Sequence, residues 1–169
     1  MTDLTRLTLT QARKALDKKE FSAVDLTNAF LKHMEDKREL NVYITETPNQ
    51  ALEQAKLSDQ RLSQGQGGLL EGLPLGIKDL FCTKGIRTTS GSKMLENFVP
   101  PYESTVSANL LKAGAVFLGK TNMDEFAMGS ANITSYFGPS ISPWRSKKDP
   151  QKKLVPGGSS GGSSAAVSA

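Results

Sequence analysis

The chain has 169 residues, 37% of them hydrophobic and 22% charged, with a net charge of +4, which suits one folded domain and excludes a disordered chain. No apolar run approaches the roughly 18 residues of a membrane span, and the start, MTDLTRLTLTQ, lacks the basic-then-apolar pattern of an export signal, so a cytoplasmic protein with no membrane partner is expected. A single cysteine, Cys82, and a single histidine, His33, exclude an internal disulfide and leave almost no material for a zinc site or a Ser-His-Asp triad.

In chain order, Thr10 to about Lys18 reads as a short helix with Ala12, Ala15 and Leu16 on one face. Ser22 opens a second helix, with Asp25 at the reciprocal position of a capping box and Val24, Ala29, Leu31 and Met34 as apolar positions. Residues 41–47, NVYITET, read as a strand. Pro48 starts a third helix to about Leu62, its buried stripe Ala51, Leu52, Ala55 and Leu62, and SQGQGG is a loop. Leu75 to Asp79 is a short strand expected inside a sheet. A turn-rich stretch and an extended Val99–Tyr102 lead to a helix from Ser104 or Thr105 to Lys112, closed by Gly114. Ala115 to Leu118 is a buried strand, Lys120 to Ser130 an irregular segment, and residues 131–156, with four prolines, a long loop region. Helix-then-strand alternation predicts an α/β fold.

Three stretches invite chemistry. Lys78 lies in an apolar strand between Ile77 and Leu80. It is either an edge lysine whose stem lies on the sheet while its ammonium reaches water, or a desolvated lysine whose lowered pKa lets it take a proton from a serine hydroxyl. Asp79, next along the strand, points to the other face and need not pair with it. VPGGSSGGSSAAVSA, residues 155–169, is either a flexible Gly/Ser linker or a rigid loop presenting hydroxyls and bare N–H groups to a small ligand, with Ala165–Val167 starting a packed helix. GAVFLGKT, residues 114–121, fits the phosphate-cradling pattern G-x-x-x-x-G-K-[ST], but a helix precedes it, its middle is an apolar strand, and Asp124 and Glu125 stand where phosphate would sit. It reads as a decoy. Five bases and one acid between Arg145 and Lys153 form a solvated basic loop, with an RNA-phosphate contact as the alternative.

LPLGIKDLF, TVSANLLKAGAVFLGKTNMDEFAMGS and VPGGSSGGSSAAVSA, in this order, resemble the amidase signature family from about Leu7 to Ala169. FVPPYESTV and TNMDEFAMGS favour its branch of glutaminase subunits of tRNA-dependent amidotransferases. The resemblance implies a mixed β-sheet core covered by helices and makes residues 1–169 the N-terminal portion of a single amidase signature domain. It also implies a Ser–Ser–Lys triad. Lys78 matches the family's base, and Ser159 the relay serine that follows a cis peptide bond, with Gly158 as its least hindered partner. Ser160 is expected to support the site by hydrogen bonding, and Met128, Gly129 and Ser130 to line the substrate pocket.

By the same resemblance, glutamine is hydrolysed and its ammonia passed on to amidate Glu-tRNA(Gln), and in some members Asp-tRNA(Asn). The partners are the two other subunits of a heterotrimer, one of which uses ATP and Mg; no cofactor is expected in this chain. The family's acylated serine lies in a second glycine-rich motif (GSDTGGSIR-like) that this sequence does not contain, and Ser163, Ser164 and Ser168 are too near Ser159 to replace it. The chain alone is therefore expected to be inactive. A stand-alone amidase of other specificity and an inactive fragment that only binds partners remain alternatives.

Overall fold

A computed structural model describes residues 3–169. Among these the elements are α1 (Leu9–Asp17), α2 (Ala23–Asp36), β1 (Tyr43–Glu46), α3 (Pro48–Ser63), β2 (Pro74–Lys78), α4 (Thr105–Lys112), β3 (Val116–Thr121) and α5 (Gly161–Ser168), with single-turn 3-10 segments between some of them. The strands form one sheet in the order β1-β3-β2. β1 runs antiparallel to β3. The bonds from Val116 N–H to Leu73 O and from Asp79 N–H to Thr121 O advance along β2 and β3 together, the sense of a parallel pair, so the sheet is mixed. β2 is its edge rather than an interior strand. The central place goes to β3, every residue of which is buried; Pro74 and Gly76 make β2 the poorer centre.

The chain forms two compact units, one of residues up to Asp36, Thr47–Leu75 and Ala108–Leu118, the other of Lys37–Glu46, Gly76–Ser107 and Gly119–Ala169. In the first, Thr8 caps α1, its hydroxyl accepting from Gln11 N–H while the Gln11 side chain accepts from Thr8 N–H. Ala12, Ala15 and Leu16 are its buried face, as the periodicity predicts. The capping box at Ser22 and Asp25 forms, with Ser22 Oγ accepting from Asp25 N–H at 3.0 Å and Asp25 Oδ2 from Ser22 N–H at 3.0 Å.

The buried positions of α2 are Ala23, Leu26 and Thr27, whereas Val24, Ala29, Leu31 and Met34 are only half-buried. The reason is α3. Asp59 on that helix accepts from Ala23 N–H (2.6 Å) and Val24 N–H (3.2 Å), where the N-terminal dipole of α2 favours a carboxylate. Ala51, Ala55 and Ser58 are buried on α3, and Leu52 and Leu62 only partly; small residues let the two helices approach closely. Ser58 and Arg61 also enclose Glu71, which is 2% exposed. Burial pushes its pKa up, but the Arg61 guanidinium (2.7 Å), Ser58 hydroxyl (2.6 Å) and Gly68 N–H (2.9 Å) hold it below the usual carboxylate range. Gly114 ends α4 at φ +92° with its N–H on Leu111 O, the left-handed closure that favours glycine.

In the second unit, Tyr43, Thr45 and Glu46 of β1 oppose Thr121, Lys120 and Gly119 of β3. Burial, and then the Glu46 carboxylate, push the Tyr43 phenol up to about 12. Leu40 and Val42 pack with Ala165 of α5. Residues 131–156 carry no regular element, as expected, and are tied down by Asn41, whose amide donates to the carbonyls of Phe137 and Gly138 at 3.0 and 3.1 Å. The basic stretch is exposed along most of its length. Its base is closed by Ser142 N–H on Leu154 O, and Arg145 donates to the carbonyls of Ser142 and Trp144 within its own loop. Among the described residues no helix is long and apolar enough to cross a membrane.

Candidate active site

β2 ends at Lys78, and the ladder continues one residue further through Asp79 N–H to Thr121 O at 3.0 Å. The chain then turns, Phe81 N–H returning to Lys78 O. The Lys78 ammonium meets Ser159, with Nζ 2.7 Å from Oγ. Burial lowers its pKa below the ordinary 10.5, and the negative charge of Asp124 opposes that shift. Both readings of the sequence find support here: Lys78 ends an edge strand and is half-buried, and burial lowers its pKa.

Ser159 is delivered by a sharply bent approach. Gly157 has φ +96° and the Gly158–Ser159 peptide is cis, the geometry the family resemblance implies. Gly158 leaves no room for a side chain: a Cβ there would strike the Asp124 carboxylate and lie 2.6 Å from Ala131 N and from the Ser130 carbonyl carbon. Asp124 N–H donates to Ser159 O at 3.0 Å. The segment 155–169 is thus no linker.

Its second glycine pair is not loop either. Gly161 and Gly162 are the first turn of α5, buried together with Ala165. Gly162 N–H bonds Asn122 O, and a Cβ on Gly162 would lie 2.5 Å from both Asn122 N and Val42 O, so only glycine lets the helix start against this backbone. Ser163 Oγ is 2.9 Å from Thr121 Oγ1. Ser160 is the N-cap residue of α5. Its side chain makes no capping bond, and its carbonyl accepts from Ser164 N–H. Met128, Gly129 and Ser130 lie on the surface, Met128 at 77% exposure, and the end of that segment lies against Gly158. Phe126 and Ala127, just before it, have φ of +49° and +62°, a left-handed pair uncommon for residues with side chains and often found beside functional sites.

Two further groups were not legible as partners. Asp79 faces away from Lys78, as expected, but it is fully buried. It accepts from Thr89 N–H (2.9 Å) and Thr89 hydroxyl (2.5 Å), and its other oxygen is 3.3 Å from Lys120 Nζ. Lys120, 1% exposed, also donates to Phe81 O (2.8 Å) and Thr88 Oγ1 (2.7 Å), so its ammonium is held by two hydrogen bonds and the Asp79 ion pair. The irregular stretch expected from Lys120 therefore begins two residues later. Gly119, Lys120 and Thr121 complete β3, and a buried, ion-paired lysine in a strand cannot cradle phosphate. A lysine ending an apolar run was the available signal for a buried acid nearby.

The profile of the Amidase family matches residues 25–169. The chain belongs to the amidase family. Over its whole length this amidase chain is 62% identical to the A subunit of glutamyl-tRNA(Gln) amidotransferase from Xanthobacter autotrophicus and 63% identical to that from Gluconobacter oxydans, covering 34% of each. The crystal structure of the corresponding glutamyl-tRNA(Gln) amidotransferase polypeptide from Thermotoga maritima superimposes with a TM-score of 0.74 at 32% identity, over 99% of this chain and 32% of that one. The chain thus spans about a third of the length of these relatives.

Proposed function

We propose that this chain is the part of a glutaminase subunit of a tRNA-dependent amidotransferase that carries the base and the relay serine. The observation behind the reading is the 2.7 Å contact between Lys78 Nζ and Ser159 Oγ, with the lysine pKa lowered by burial. A neutral amine at that distance accepts a proton from the Ser159 hydroxyl, which in turn accepts one from an attacking serine. By the family resemblance, that serine belongs to the second glycine-rich motif, which residues 1–169 do not include.

In the reaction, the serine oxygen attacks the glutamine side-chain amide, the proton relayed through Ser159 and Lys78 returns to the leaving nitrogen, and ammonia departs. Water then hydrolyses the glutamyl ester. The released ammonia amidates Glu-tRNA(Gln) on a partner subunit that uses ATP and Mg. The relatives named for this activity at 62–63% identity support the assignment. In this reading Met128, Gly129 and Ser130 line the glutamine pocket, which the approach of Ser130 to Gly158 supports, and Ser160 supports the site through its carbonyl, which accepts from Ser164 N–H.

In the whole complex, Lys78→Ala and Ser159→Ala should each lower glutamine-dependent amidation by at least about 100-fold while amidation from free ammonium continues. Unchanged glutamine use in either variant refutes that residue's role. Glutaminase turnover without any partner subunit would favour a stand-alone amidase.

A further inference from the structure

Asp124 is absent from the reaction just described, yet it lies against the Gly158–Ser159 peptide and the 129–134 segment. Its side chain is fully buried. One oxygen accepts from Asn132 N–H at 2.9 Å, the other from Thr134 hydroxyl at 3.0 Å and, at 3.4 Å, Thr134 N–H. Gly129 and Gly158 flank it so closely that a Cβ on either would collide with the carboxylate. Its own N–H holds the Ser159 carbonyl at 3.0 Å. One residue therefore joins three segments: the 128–134 segment, the end of β3 and the Gly158–Ser159 peptide. A carboxylate strapped by backbone N–H groups stays ionised. Burial alone would push its pKa up, but the N–H of Asn132, the Thr134 hydroxyl and N–H, and the N–H of Ala131 together hold it below the ordinary 3.8.

We propose that Asp124 is a positioning residue for the Lys78–Ser159 pair, its main chain fixing Ser159 and its buried carboxylate fixing both the Gly158 peptide and the charge that Lys78 faces. The neighbouring segments offer no rival for that place. Residues 155–169 contain no Asp, Glu, Lys, Arg or His, and Lys120 and Asp79 of the adjacent strands are occupied by each other. The negative charge favours the protonated lysine and opposes the effect of its burial. The base is thereby kept basic enough to take a proton from serine while still being available in neutral form.

The test rests on the glutaminase reading and uses the whole amidotransferase complex, with glutaminase kcat/KM measured against pH for the wild type, Asp124→Asn and Asp124→Ser. Asn preserves shape and some of the bonds; Ser is smaller and equally uncharged. Amidation from free ammonium reports assembly. The expected result is a lower plateau in both variants and an ascending limb moved to lower pH, so that activity at pH 6.5 relative to plateau rises roughly threefold. A limb that stays in place in both variants, with ammonium use intact, overturns the proposal, and so does failure of both variants to fold, which would leave the carboxylate a purely structural role. A wild-type complex without glutaminase activity would instead refute the underlying reading.

Discussion

At the scale of single residues, the lysines of two neighbouring strands have opposite fates, and their surroundings explain why. Lys78 emerges at the end of the edge strand beside one hydroxyl, Ser159, and keeps solvent access. Lys120 is on the central strand, where burial also lowers its pKa, but the Asp79 carboxylate opposes this, and Phe81 O, Thr88 Oγ1 and that carboxylate hold its ammonium. The first is free to exchange a proton, whereas the second serves to hold the turn after Lys78. Lys120→Ala leaves Asp79 buried and unpaired and should cost about 3–5 kcal/mol of stability, read as a lower denaturation midpoint of the whole enzyme. Neither the wild type nor this variant should bind labelled ATP at this segment. Saturable binding lost in the variant would restore the phosphate-loop reading.

At the scale of elements, α5 shows how close approach outranks propensity. Gly-Gly-Ser-Ser is a poor way to begin a helix, yet the turn forms because Gly162 sits against Asn122 and Val42 main-chain atoms and gives its N–H to Asn122 O. Gly162→Ala would improve intrinsic helicity by about 1 kcal/mol, but the Cβ must displace backbone, and overpacking costs about 1–3 kcal/mol. The net expectation is a destabilised protein with reduced glutamine turnover, since α5 begins two residues after Ser159. Ser22→Ala, which removes the α2 cap, should cost about 1 kcal/mol without changing turnover. A Gly162→Ala enzyme with normal stability and kinetics would show that the interface yields more easily than the distances imply.

At the scale of the whole molecule, the shifted groups set how stability depends on pH. Asp124 and Glu71 titrate below their ordinary 3.8 and 4.5 when folded. The stability they add is complete above those values and is lost as pH falls through the lower folded ones. Lys78 and Lys120 titrate below 10.5 when folded, so unfolding takes up protons below that value and stability rises with pH through the window up to 10.5. Urea midpoints of the whole enzyme should therefore drop steeply below about pH 4.5 and climb gently on the alkaline side before tyrosine and general charge effects intervene. A midpoint flat between pH 3 and 6 would show that the two carboxylates contribute nothing.

The sequence by itself determined the alternation of helices and strands, the caps at Ser22 and Gly114, the strand carrying Lys78 and the family, because these depend on local spacing and on motifs read within a few residues. Lys78 and Ser159 could be named, but their meeting could not be derived from spacing, since 81 positions separate them. Tertiary structure alone decided that β3 and not β2 is central, that α2 buries Leu26 instead of Met34, that Asp79 pairs with Lys120, and that Asp124 N–H holds the Ser159 carbonyl. Each of these turns on which segments pack side by side, and a burial or a charge partner is a property of that packing rather than of any one stretch of chain.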